Sequence, residues 1–210
     1  MSERIGEVIS TTSLDFTAQR LVAEEARTPG PVQPPDLGSL VWVRLPEGGR
    51  VFAVVSYGTT EGLDRGRLAV VRTHGDVVDE RVYHEHPQLA NVLRTEFTAV
   101  LVGYEQDGRM FHHLPPQPPP LHYAVYAASA EEVRAFSDDL RYLRLLLNTS
   151  SPVPGEQLLA AHVRELYRAR GHDREWLAHA ARAIANLLKR DYERLRAAID
   201  ALEGVGGSND

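Results

Sequence analysis

Four groups of residues have the types and spacing that chemistry could use. The first is histidine: His84-Glu85-His86, with His74 nearby. On an extended segment His84 and His86 would point the same way, and His74 as a third ligand would complete a zinc-type site for a metal hydrolase. Pro87 follows at once, however, and nothing local fixes the ring tautomers, so solvated loop histidines are the better reading. His112 and His113 are adjacent on a strand, face opposite sides and cannot share a metal. The second group is rich in hydroxyls, Thr11-Thr12-Ser13 and Asn148-Thr149-Ser150-Ser151. Neither has the Gly-x-Ser-x-Gly elbow that presents a nucleophile to a base, and turn and linker roles suffice for both. The third group is charged. Asp138 and Asp139 stand beside Arg141 and Arg144, and Arg164, Arg168 and Arg182 stand with Glu165 and Glu175, all at the spacing of solvated helix faces. The fourth combines aromatics with arginine: Trp42, Arg44, Arg50, Phe52, Tyr57, Arg65 and Arg67. A small barrel can stack single-stranded bases on such a set. Trp42 and Arg44 alternate in phase with Leu40, though, which turns part of the set inward.

Composition narrows the classes further. The 210 residues hold 23 Lys+Arg against 29 Asp+Glu, a formal charge of -6, which disfavours gripping nucleic acid through the overall field. Cysteine is absent, so disulfides, thiolate zinc sites and cysteine nucleophiles are excluded. Lys189 is the only lysine, and it lies between Leu188 and Arg190 on a helical pattern where no glycine loop could cradle phosphate. No apolar run approaches the roughly 18 to 20 residues that span a bilayer. Met1 to Arg20 carries Glu3, Glu7 and Asp15 and does not read as a signal peptide, so a soluble cytoplasmic protein is expected.

The elements that must position these residues change character along the chain. Ile5–Ser10 and Leu14–Val22 alternate with period two, putting Leu14, Phe16 and Ala18 on one face. The proline-rich Thr28–Pro35 interrupts them. Leu40–Leu45 and Val51–Tyr57 then flank Pro46-Glu47-Gly48-Gly49 as a hairpin. Leu68–Thr73 reads as a short strand, His74-Gly75-Asp76 as a turn and Pro87–Leu93 as briefly helical. Phe97–Tyr104 is apolar at nearly every position, as in a strand buried on both sides or closing a barrel. Gln106-Asp107-Gly108 turns the chain back to Arg109–His112, and Leu114–Pro120, with five prolines in seven residues, must be extended.

From Ser129 the period becomes helical. Ser129 and Glu132 match a capping box, and Val133, Phe136, Leu140, Leu143 and Leu147 recur as one stripe of a single helix. Asn148–Gly155 ends it. A second helix is expected over Glu156–Arg170, stopped by Gly171, and a third from His172 or Asp173 to Glu203, the last two forming a hairpin.

Three parts of the β region carry a family likeness. The run Ile5-Gly6-Glu7-Val8-Ile9-Ser10-Thr11-Thr12-Ser13-Leu14-Asp15-Phe16 resembles the start of the HAS-barrel domain found at the N-terminus of HerA-type DNA translocases. Val100-Leu101-Val102-Gly103-Tyr104 resembles that domain's late strand. The proline-rich Leu114–Pro120, followed by Val125-Tyr126-Ala127-Ala128-Ser129, is similar to its exit. The resemblance covers about Arg4 to Ala128. It implies a collar that assembles on a hexameric motor and helps to dock a NurA-type nuclease in DNA-end processing. It does not carry over the translocase activity, because no Gly-x-x-x-x-Gly-Lys-Ser/Thr is present.

The expected fold is therefore a small closed antiparallel-type β-barrel over residues 4–128. A helical region follows over 129–204, three helices with a C-terminal hairpin, and then a disordered tail over 205–210. The expected function is that of a non-catalytic adaptor for a HerA-type ATPase, a NurA-type nuclease or both, without cofactor or metal and with a possible homo-oligomer. The alternative is a barrel that binds single-stranded nucleic acid. Tyr104, Met110, Phe111, Pro115 and Pro116 are the candidate partner-binding edge, with Met110 and Phe111 read as exposed beside the prolines, because a rigid polyproline flank loses little entropy on docking; an equal reading is that Met110 and Phe111 simply close the bottom of the barrel.

Overall fold

Alternating apolar residues make the strands, and the two phases of that alternation serve two different cores. The computed structural model describes residues 2–21, 32–63, 70–86 and 88–202. Within them lie the strands β1 (Arg4–Thr11), β2 (Asp15–Arg20), β3 (Leu40–Arg44), β4 (Arg50–Gly62), β5 (Leu93–Gln106), β6 (Arg109–Phe111) and β7 (Ala124–Ala127). The sheet order is β2-β1-β7-β3-β4-β5-β6, and β2 also pairs with β5. Six strands thus close into a barrel, with β6 as an extra strand on β5. Every pairing is antiparallel, and the closing seam runs from Asp15 opposite Val100 to Gln19 opposite Glu96.

One phase fills the barrel: Val8, Phe16, Ala18, Val41, Phe97 and Leu101 are buried there with their neighbours. The other phase of β3, β4 and β5 points outward, and Leu40, Trp42, Phe52, Val54, Val100 and Val102 pack under the helices. Two covered faces explain why β5 reads as an unbroken apolar run. At its end Asp107 (φ 52) and Gly108 (φ 71) both take positive φ, as a two-residue type I′ hairpin turn requires.

The helices are α1 (Glu80–Glu85), α2 (Leu89–Val92), α3 (Ala130–Phe136), α4 (Leu143–Leu147), α5 (Gly155–Ala169), α6 (Arg174–Leu187) and α7 (Tyr192–Leu202). The expected capping box closes the start of α3: the Ser129 hydroxyl accepts from the Glu132 amide, and the Glu132 carboxylate accepts from the Ser129 amide. No helix among the described residues is long and apolar enough to cross a membrane.

Several expectations need correction. Five helices follow Ser129 among the described residues, not three. The helix expected from Ser129 to Leu147 breaks after Phe136, because side chains there compete for the backbone. Ser137 Oγ donates to the Val133 carbonyl at 2.7 Å, and Asp139 Oδ1 accepts the Arg141 amide at 2.9 Å. The apolar stripe survives the break, with Val133, Phe136, Leu140, Leu143 and Leu147 all buried. The helix expected from His172 or Asp173 to Glu203 breaks at Leu188–Asp191, and Asp191 Oδ1 accepts the Arg194 amide at 3.1 Å to start α7. The break rotates the buried face. Trp176, Ala180, Ile184 and Leu188 lead to Ala198, while Tyr192 and Ile199 are left 77% and 48% exposed. Residues 70–73 of the expected Leu68–Thr73 strand are not strand, although the turn after them forms, with His74 bridging Val77. Leu68, Ala69, Arg65, Arg67, the first half of Thr28–Pro35 and the 205–210 tail lie outside the described residues.

Candidate functional site

Where barrel and helices meet, the outer face of β3 and β4 presents an aromatic slab with a cation over it. Trp42 stacks on Tyr126 at 4.3 Å between ring centroids, and Phe52 leans on Phe136 at 4.8 Å. The Arg50 guanidinium lies 5.3 Å from the Trp42 ring centroid and 5.2 Å from that of Phe52. Its Nε donates to Glu105 Oε2 at 2.7 Å, and its Nη1 donates to Glu132. One arginine thereby joins β4, β5 and the cap of α3. Burial opposes ionisation of Glu132. Hydrogen bonds from the Ser129 amide, the Ser2 hydroxyl and Arg50 outweigh it and hold the carboxyl below its ordinary range.

A second connection is fully buried. Gly38 presses its backbone against α5: a Cβ there would lie 2.5 Å from the Ala161 carbonyl carbon, and φ is +89°. The Gly38 carbonyl accepts from His162 Nδ1 at 2.6 Å, which leaves His162 Nε2 to accept from the Tyr142 hydroxyl at 2.8 Å. Burial pushes the imidazole down to about 4, and burial likewise raises the Tyr142 hydroxyl well above its ordinary range. Both groups are therefore neutral at pH 7. This chain of hydrogen bonds fastens the loop before β3 to α5 and to the start of α4.

The third feature is the β6 edge. This strand ends the sheet order, so only one of its sides is paired within the sheet. Phe111 stacks on Tyr104 at 4.7 Å with the rings inclined by 15°, and His113 meets both rings edge-on. Tyr104 is buried in the barrel core with Phe111 packed against it, while Met110 packs against the helical core. Met110 and Phe111, expected to be exposed, are half-buried; Pro115 is half-buried and Pro116 exposed. The structure thus joins Tyr104 and Phe111, turns Met110 to the other core, and leaves Pro116 exposed.

No family model and no curated protein matches the chain.

The other sequence candidates scatter. His84 lies within α1 and not on an extended segment, so it and His86 do not alternate as two strand ligands would. Among the described residues no group of three His, Asp or Glu is placed to hold a metal ion. His112 is turned to the helices, its Nε2 within 2.8 Å of the Phe136 carbonyl and Nδ1 3.7 Å from Asp139. Thr12 Oγ1 accepts the Leu14 and Asp15 amides, both at 3.1 Å, in a turn, and Ser151 Oγ accepts the Val153 amide at 3.2 Å and donates to the Ser56 carbonyl, which ties the linker to β4. Asp138 pairs with Arg170 at 2.6 Å and Arg168 with Glu165 at 2.7 Å. Trp42 and Phe52 face the helices, not the barrel interior, and both are buried; Arg44 and Tyr57 remain exposed.

Sequence reasoning passed over His162, Tyr142 and Arg170. A lone histidine inside the apolar run Leu158–Val163 was the available signal for the first, since such a residue is a core group that must find partners.

Proposed function

We propose that this chain is a stand-alone barrel of the HAS type that works by docking: a non-catalytic adaptor for a HerA-type hexameric ATPase, a NurA-type nuclease or both. The observation that carries the reading is barrel closure over the segment bearing the resemblance. The Ile5–Phe16 run forms β1, its turn and the start of β2, and β1 pairs with β2 on one side and β7 on the other. The polyproline stretch follows β6, and Val125–Ala127, likened to an exit, instead lies in the barrel strand β7 between β1 and β3. Arg50, Glu105 and Glu132 at the barrel–helix junction are spent on one another, whereas β6 keeps one strand side unpaired within the sheet, to which a partner can add by backbone pairing. The alternative, single-strand binding, has less support, because the aromatic slab it needs is covered by helices.

Co-elution of the full chain with a HerA-type ATPase or its nuclease tests the proposal. An Arg109→Glu, Pro116→Asp double variant at the exposed edge is expected to weaken co-elution while the fold persists. A chain that elutes alone in the presence of both candidate partners would overturn the adaptor reading. Salt-sensitive affinity for oligonucleotides would turn the choice to the alternative.

A further inference from the structure

Strand β6 ends the sheet, and the hairpin that makes it fixes which of its backbone groups are left open. Gln106 faces Arg109 across the turn, Glu105 faces Met110 and Tyr104 faces Phe111. In a two-residue hairpin the residues flanking the turn exchange both backbone hydrogen bonds, and such pairs alternate with pairs that exchange none. Arg109 and Phe111 therefore bond β5, while the Met110 N–H and C=O point away from it. Neither bonds a turn or loop backbone group among the described residues. One donor and one acceptor on a single residue are what another antiparallel strand needs to pair there.

The side chains decide which strand fits. Met110 packs against the helical core, so Arg109, Phe111 and His113 alternate onto the opposite face, with Asp107 at its end. Asp107, Arg109 and His113 are exposed. Against a second β6 the open Met110 can meet Gly108, Met110 or His112. The first register sets Arg109 against Arg109, and the third sets Arg109 against His113. The middle register sets Arg109 against the Phe111 ring, itself stacked on Tyr104 at 4.7 Å, and Asp107 against His113. It alone opposes no two basic side chains.

We propose that β6 pairs antiparallel with β6 of a second copy of this chain, about a two-fold axis at Met110 that joins the two sheets edge to edge. The pairing stands without the docking reading. Where that reading holds, the second copy covers the strand side that a docking partner needs, so dimer and complex exclude each other; this consequence alone rests on it.

Sedimentation velocity of the full chain, with no ATPase or nuclease present, tests the pairing. The contact lies at the small end of specific interfaces, so a reversible dimer with a Kd of about 100 μM is expected. His113→Asp places a carboxylate opposite Asp107 of the second copy, and because the symmetry repeats that contact it should weaken the dimer about tenfold. Adding Asp107→Asn, which tolerates the positive φ of the turn, should restore it. Met110→Pro removes both hydrogen bonds at the axis and should leave monomer; where that variant does not fold, the carboxylate pair decides. A chain that stays monomeric to about 1 mM, or a dimer that His113→Asp leaves unchanged, would overturn the pairing. A monomer that still co-elutes with the ATPase or nuclease removes the pairing alone, and a dimer that co-elutes with neither removes the docking reading alone.

Discussion

Lowering the pH should unfasten α5 from the loop before β3 through one residue, His162. Its ring is fully buried between the Gly38 carbonyl and the Tyr142 hydroxyl, and burial pushes it from an ordinary value of 6.5 down to about 4. In the unfolded chain the imidazole takes up a proton as pH falls through about 6.5, whereas in the fold it resists until about 4. The unfolded state therefore binds more protons in that window, and stability falls with falling pH. A separation of two to three pKa units is worth about 3 kcal/mol in total, of which about 2 kcal/mol is lost by roughly pH 5. The assay is urea unfolding at a series of pH values from neutral to about 5, comparing the natural chain with His162→Gln. Glutamine can still donate to Gly38 and accept from Tyr142, but it cannot ionise. The natural chain should lose stability over this range and the variant should lose about 2 kcal/mol less, with the acidic groups common to both cancelling. Parallel slopes for the two proteins, or an NMR titration placing folded His162 near 6.5, would refute the reasoning.

Arg50→Ala should cost about 2 kcal/mol in chemical denaturation, since it leaves Glu105 and Glu132 half-buried without their cation and uncovers the Trp42 ring, and Arg50→Lys should recover only part of it. Gly38→Ala should cost more than about 3 kcal/mol or prevent folding, because the new Cβ meets the α5 backbone and φ stays positive; soluble yield and melting temperature report it. Ser129→Ala should remove about 1 kcal/mol by breaking the capping box, visible as a lower urea midpoint at unchanged m-value.

The barrel was legible in the sequence because each strand's alternation is a local property set by neighbours two residues away. Phe97–Tyr104 even announced its two covered faces. The helix breaks were not, since a stripe at steps of three and four persists across Ser137–Tyr142 while local side-chain hydrogen bonds end the helix beneath it. The same limit hid the junction. Gly38 and His162 are 124 residues apart and Arg50 and Glu132 82 apart, and no spacing rule relates groups at such separations. Arg50 was visible only as a basic residue near aromatics, which fits a nucleic-acid groove as well as the internal ion pair it forms. For the β6 edge the residue types were readable, but half-burial of Met110 and Phe111 follows from stacking on Tyr104 and packing on the helices, which only tertiary structure sets.

Because β1 and β7 run side by side, Arg4 sits opposite Tyr126, and the cylinder begins and finishes at neighbouring points on its own rim. Such a unit can be spliced into a host loop without stretching either junction, and rejoining its ends while nicking the tight bend at Pro46–Gly49 would leave every seam intact. The architecture is therefore portable. A lineage that moved it between larger chains would have to carry the helices along or find new cover for the outer faces of β3, β4 and β5.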